Sequence, residues 1–130
     1  MEILFLIGRI LFGGFFFLNG INHLTKSSGL IGYAAAMGVP MPKLAVLGSG
    51  IMILLAGLGI VLGVYPTIGL ILVLTFLLPV TFTMHQFWKH TDDALKMNDQ
   101  INFMKNLALI GATIMLLALP LEWAYTIITL

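Results

Sequence analysis

"LAVLGSGIMILLAGLGIVLGVYPTIGLILVLTFLLPVTFTM", residues 44–84, decides the fold. It contains no Asp, Glu, Lys or Arg. A helix needs about 20 mostly apolar residues to cross a bilayer. This stretch holds two such lengths, residues 44–63 and 67–84. The "VYPT" between them is too short for anything but a tight antiparallel turn. The chain therefore crosses lipid, turns and crosses back. Working outward, residues 3–21 and 103–121 are apolar enough to complete a set of four. The expectation is an all-α polytopic membrane protein: a single domain over residues 1–130, built as a four-transmembrane-helix bundle.

Composition agrees. Of 130 residues, 60% are hydrophobic and 8% are charged, against about 25% charged in ordinary soluble domains. A short soluble fold leaves much of its area exposed and must cover it with polar groups. So few charges cannot do that, and lipid is the fitting solvent. A net charge of +1 excludes a general basic surface for nucleic acid. With no cysteine there is no thiol or disulfide chemistry and no thiolate-held cluster. The N-terminus "MEILFLIGRILFGGFFF" lacks the features of a signal peptide. Glu2 stands where positive charge is needed, Arg9 interrupts the apolar run, and no small-residue cleavage pattern follows. It reads as a retained membrane helix.

The first connection, "HLTKSSGLIGYAAAMGVPMPK", has an order of its own. Ser27 or Ser28 is placed to cap a short helix, Gly38 to end it, and Pro40 and Pro42 to forbid its continuation. A short helix between spans 1 and 2, lying in the interface or folded back on the bundle, is expected. The third connection, "HQFWKHTDDALKMNDQIN", holds most of the charge. Thr91, Asp92 or Asp93 would begin a short surface turn of helix there. Four spans put both long connections on one side, with Lys26, Lys43, Lys89, Lys96 and Lys105. The positive-inside rule then places these connections in the cytoplasm and both termini outside a cell membrane.

Small residues recur along span 2: Gly50 and Gly57 are seven apart, Gly59 and Gly63 four apart. Such faces let helix backbones approach closely in lipid. They serve either packing inside the chain or a homodimer seam.

Polar groups inside a span are expensive, so each asks for a partner. Arg9 is open to three readings: a snorkelling side chain, a structural ion pair with Glu122 at the same membrane face, or a ligand-facing cation. Asn19 and His23 share a helix face. Arg9 and His23 are about 21 Å apart along the helix at 1.5 Å per residue, so they cannot touch. Thr81, His85 and Lys89 fall at i, i+4 and i+8, a single stripe on a regular helix. Pro79 removes a backbone donor one turn earlier. Asn102 and Asn106 share a face, with Lys105 beside them. The end of span 1, the end of span 3 and the start of span 4 meet one membrane face. Asn19, Asn22, His23, His85, Gln86, Trp88, Asn102, Lys105 and Asn106 are therefore expected in one layer. That layer is either an ordinary interface belt or a polar-headed pocket under an apolar bundle, suited to an amphipathic ligand such as a quinone. His23, His85 and His90 have no metal-ligand spacing. A haem would need His23 and His85 to face each other across the bundle, and this is the weaker expectation. No nucleophile signature is present.

At these residues the chain resembles a known family. "GRILFGGFFFLNGINHLTK" is similar to the first helix of DoxX-family membrane proteins, and "YAAAMGVPMP" to the connection after it. "SGIMILLAGLGIVLG" resembles their second helix, and "FLLPVTFTMHQFW" and "NFMKNLALIGA" their third and fourth. The order of the five pieces carries the likeness. One departure is Ile53, which stands where many relatives carry a glutamate. The resemblance implies a four-helix membrane bundle and, from the family's namesake subunits, quinone-linked redox work. The functional expectation is a subunit or partner of a quinone-linked membrane redox system. Its ligand would be held by His85, His23, Asn19, Thr81, Trp88, Lys105 and Asn106. The alternative is a non-catalytic membrane module for complex assembly or lipid binding. Whether the chain catalyses anything alone is left open.

Overall fold

The computed structural model describes residues 1–119 and 123–128. Five α-helices follow in order: α1 Glu2–Thr25, α2 Ser27–Ala36, α3 Pro42–Leu62, α4 Pro66–Met84 and α5 Asp93–Ala118. A 3-10 turn, Phe87–Lys89, stands between α4 and α5. Four of the helices, α1, α3, α4 and α5, are long and apolar enough to cross a membrane.

The helix ends follow local chemistry. Pro42 and Pro66 open α3 and α4 at the first turn, where a missing N–H costs nothing. Gly38, with φ +79°, follows the end of α2. Its N–H bonds the Ala35 carbonyl, and the Val39 N–H bonds that of Ala34. Gly63, with φ +66°, ends α3 in the same way, with Val64 N–H on the Gly59 carbonyl. Both are the left-handed glycine termination that pairs orphan carbonyls. The expected serine cap is not used. Ser27 is already the first residue of α2, and the capping position is Lys26, without a side-chain bond.

The fourth span differs most from the sequence reading. Asp92 Oδ1 accepts the Leu95 N–H at 2.9 Å, and from this cap α5 runs unbroken to Ala118. The expected surface turn at 91–93 is thus the first turn of the spanning helix. The helix begins about ten residues before the expected start at 103. An aspartate N-cap with an acidic first turn nucleates a helix that the apolar segment then continues.

Close packing runs from α1 to α3, α3 to α4 and α4 to α5, with α2 against α3 and α1. The core is Phe16, Ala56, Ile60, Leu70, Val73, Leu77 and Ile110. Polarity is inverted relative to a soluble protein. Leu4, Leu11, Leu18, Leu55, Ile71 and Met115 face outward, while Arg9, Thr81, Asp99, Asn106 and Thr113 are buried. Lipid is the solvent that such a surface fits.

Glycine sets how closely α1 approaches α3. A Cβ built on Gly57 would overlap the Phe17 backbone, and one on Gly20 would lie 2.5 Å from Leu54 Cβ. One on Gly50 would lie 2.6 Å from His23 Cβ. Gly50 and Gly57 are therefore spent inside the chain against α1. Gly59 and Gly63 are spent on the α3 termination. Of the two expected uses of these small residues, packing inside the chain is the one that Gly50 and Gly57 serve here.

Candidate functional site

A cavity of about 400 Å³ opens between α1, α2, α3, α4 and α5. Its body is apolar, with Phe15, Phe16, Val46, Met52, Phe76, Leu77 and Val80. Its polar lining is Asn19, His23, Tyr33, Ser49, Thr75, Thr83, His85, Asn102, Lys105 and Asn106. No carboxylate is among the described lining residues. Small-molecule sites have this character: about 300–1,000 Å³, mostly apolar, with a few convergent polar groups.

The helices supply these groups because polar side chains in lipid first satisfy themselves on their own backbone. Asn19 Nδ2 donates to the Phe15 carbonyl at 2.7 Å. Thr75 and Thr83 donate to Ile71 and Pro79. Pro79 itself has no N–H to offer the Thr75 carbonyl, and both residues line the cavity. His23 Nδ1 lies 3.3 Å from the Val46 carbonyl and 3.3 Å from Ser49 Oγ. Lys105 Nζ donates to Asn102 Oδ1 at 3.1 Å and sits 5.7 Å from the centre of the Phe15 ring. Asn106 is only 5% exposed and lines the cavity. Its amide has no hydrogen-bond partner among the described residues.

Behind the cavity wall lies a cluster that sequence reasoning missed. Asp99 is 3% exposed. Its Oδ1 is 3.1 Å from His85 Nδ1, and its Oδ2 is 2.6 Å from His90 Nε2. The Tyr33 hydroxyl lies 3.3 and 3.5 Å from the two carboxylate oxygens and 3.1 Å from the Met84 carbonyl, acceptors that share its single proton. Burial holds the Tyr33 phenol above its ordinary pKa, and the charge and hydrogen bond of Asp99 push it the same way. The cluster ties α2, the end of α4, the 3-10 turn region and α5 together.

Five of the seven expected ligand residues, Asn19, His23, His85, Lys105 and Asn106, line the one cavity. Two do not. Thr81 is fully buried and donates to the Leu77 carbonyl, so its hydroxyl is consumed by its own helix. Trp88 is 51% exposed and packs edge-on against Phe87 and Phe103. The expected Thr81–His85–Lys89 stripe does not form, because α4 ends at Met84 and His85 has left helical geometry with φ −114° and ψ 48°. Arg9 does not snorkel. It is 6% exposed, with Nη1 on the Ala124 carbonyl at 2.8 Å and Nη2 on the Tyr125 carbonyl at 3.2 Å. It ties the segment after α5 to the end of the bundle. Glu122, its expected partner, lies outside the described residues. Ile53 is a fully buried core residue. Among the described residues, no three of His, Asp and Glu are grouped to hold a metal ion.

Comparison with known proteins places the chain. A family model described as DoxX matches residues 4–86. The chain is 33% identical over 114 residues to "Inner membrane protein YphA" of Escherichia coli (strain K12), a match covering 88% of this chain and 81% of that protein. No solved structure matches. The family match covers α1 to α4, the helices that carry the glycine seam and most of the cavity wall, and the chain belongs to the DoxX family.

Proposed function

We propose that the cavity binds an amphipathic, quinone-like lipid, and that the protein serves as a subunit or partner of a quinone-linked membrane redox system. The observation that carries this is Asn106. Its side chain is held by no hydrogen bond to another described residue and borders the cavity, so its donor and acceptor are free to bind a ligand's polar group. It opens onto the same cavity as His85 and Lys105, above an apolar body sized for a ring and the start of a tail. Lys105 and the two histidines, with no carboxylate in the lining, favour an electron-rich oxygen head group. Histidine suits a site that trades protons near neutral pH.

The lysine distribution supports both long connections in the cytoplasm and both termini outside. The relative's name, an inner membrane protein, supports the same membrane for this chain. The cavity's polar residues then lie toward the cytoplasmic leaflet.

Native mass spectrometry with lipid extraction tests the proposal on gently purified protein, wild type beside His85→Ala. The expected result is a stoichiometric quinone or related lipid, lost in the variant. Nothing bound to either protein would reject the site and leave a non-catalytic assembly module.

A further inference from the structure

His85 lines the cavity, and Asp99 does not. The Nδ1 of this lining residue is taken up by Asp99, which lies outside the lining. We propose that Asp99 is a positioning residue that fixes His85 with its proton on Nδ1 and a bare Nε2 toward the cavity. The site would then select amphiphiles whose head carries an ionisable hydroxyl, such as a hydroquinone, over the matching carbonyl form. This rests on the cavity being a ligand site, as proposed above.

The argument is one of donors and acceptors. An ionised carboxylate only accepts, and a neutral imidazole carries one N–H. Asp99 Oδ1 lies 3.1 Å from His85 Nδ1, so that nitrogen carries the proton and Nε2 is left bare. Asp99 Oδ2 is held in turn by His90 Nε2 at 2.6 Å. Tyr33 adds a hydroxyl from α2. The carboxylate cannot turn away from His85 without also breaking from His90. A bare Nε2 accepts a hydrogen bond from a hydroxyl. It meets a carbonyl lone pair to lone pair, and sites built on one polar partner discriminate strongly against the analogue that lacks it.

The same arrangement lets a proton leave the ligand. The ligand O–H bond breaks as an N–H bond forms at His85 Nε2, giving an oxyanion and an imidazolium from two neutral groups. No electron moves in this step. The imidazolium keeps its Nδ1–H on the Asp99 carboxylate, and Lys105 supplies a cation to the same cavity lining. The titratable groups joined to His85 are Asp99 from α5 and, through it, Tyr33 from α2 and His90 from the segment after the 3-10 turn, while Lys105 from α5 and His23 from α1 share its cavity.

The test uses the full chain in lipid nanodiscs with two probes, a decyl-substituted benzohydroquinone kept reduced and its benzoquinone. Their Kd values are read from tryptophan fluorescence. Nitrogen-15 shifts of labelled histidine report the tautomer independently of any ligand. The hydroquinone is expected to bind about tenfold tighter than the quinone, the worth of one hydrogen bond made rather than opposed. The spectrum should show His85 protonated on Nδ1. In Asp99→Asn the amide can donate to Nδ1 and move the proton to Nε2, as an aspartate-to-asparagine change does in the serine protease triad, so the preference should vanish or invert. Should that variant fail to fold, His85→Gln serves instead, because its amide both donates and accepts and should bind the two forms alike. Equal binding of the two probes by the wild type, or a proton on its Nε2, would overturn the inference while leaving the cavity as a site. Binding of neither probe would take down the site and the inference together.

Discussion

Gly57→Ala adds a single methyl group to α3, and the structure fixes what it meets. The new Cβ would overlap the Phe17 backbone nitrogen and lie 2.6 Å from the Gly13 carbonyl oxygen and 2.8 Å from Phe17 Cα. Ordinary contact begins near 3.4 Å. The partners are backbone atoms, so no side chain can swing aside, and α1 must back away from α3 by roughly 1 Å. A gap of about 0.5–1 Å forfeits a quarter to a half of each van der Waals well. In lipid that packing is a main force holding helices together. Taking about 40 atom pairs across the seam at about 0.15 kcal/mol each, the well is about 6 kcal/mol and the loss about 1.5–3 kcal/mol. Alanine returns about 0.5–1 kcal/mol through its better helix propensity. The net cost is therefore about 0.5–2.5 kcal/mol. Gly48→Ala is the control, since a Cβ there meets nothing within 4 Å; it should be neutral or slightly stabilising. Reversible unfolding by titration of denaturing detergent into mild micelles, followed by helix circular dichroism, measures both. Equal stability of the two variants would refute the seam as the cause of the close α1–α3 approach.

Three further outcomes are expected. Arg9→Met should strip the Ala124 and Tyr125 carbonyls of their charged donor, at about 1.5–3 kcal/mol for each charged hydrogen bond. Limited proteolysis and amide exchange should find residues 123–128 released while the four spans stay protected, and unchanged protection would count against the tie. Tyr33 should ionise at higher pH than a free phenol, read at 295 nm against Tyr33→Phe, and Asp99→Asn should bring it part of the way down. A folded-state pKa raised above the unfolded value means that this tyrosine's contribution to stability is intact below the ordinary tyrosine range. It is lost as pH rises through the folded value. Asn106→Leu should leave the fold intact, since it replaces an unpartnered amide with an apolar group of similar size. It should weaken retention of the bound lipid in the mass spectrometer, and full retention would argue that the amide faces no ligand.

The candidate site was half legible in the sequence. Asn19, His23, Lys105 and Asn106, grouped by depth in the sequence, line one cavity, because helix rise sets which residues share a level along the bundle. Thr81 and Trp88 are absent from that lining, because depth says nothing of which way a side chain points. The stripe through His85 failed because α4 stops at Met84, and a period counted past a helix end predicts nothing. Asp99 was missed for the opposite reason: a stretch taken as surface loop is helix. Extended backward, the buried stripe Asp99, Asn106, Ile110 and Thr113 keeps the i, i+7, i+11, i+14 spacing of one face. That pattern, with Asp92 as its cap, was the signal available.

The sequence by itself determined the solvent and the architecture. Its charge-poor composition points to lipid, where backbone groups are paired only in helices or closed barrels, and its continuous span-length apolar runs, without the alternation of barrel strands, select helices. It also determined the turns, where Pro42, Pro66, Gly38 and Gly63 set helix ends locally. Only the tertiary structure decided that Gly50 and Gly57 close a seam within one chain. It alone joined Asp99 to His85, His90 and Tyr33, and aimed Arg9 at the carbonyls of a segment more than a hundred residues away. These pairings depend on how helices rotate and tilt against one another. That is set by the sum of many small packing contacts, and no short stretch of residues carries it.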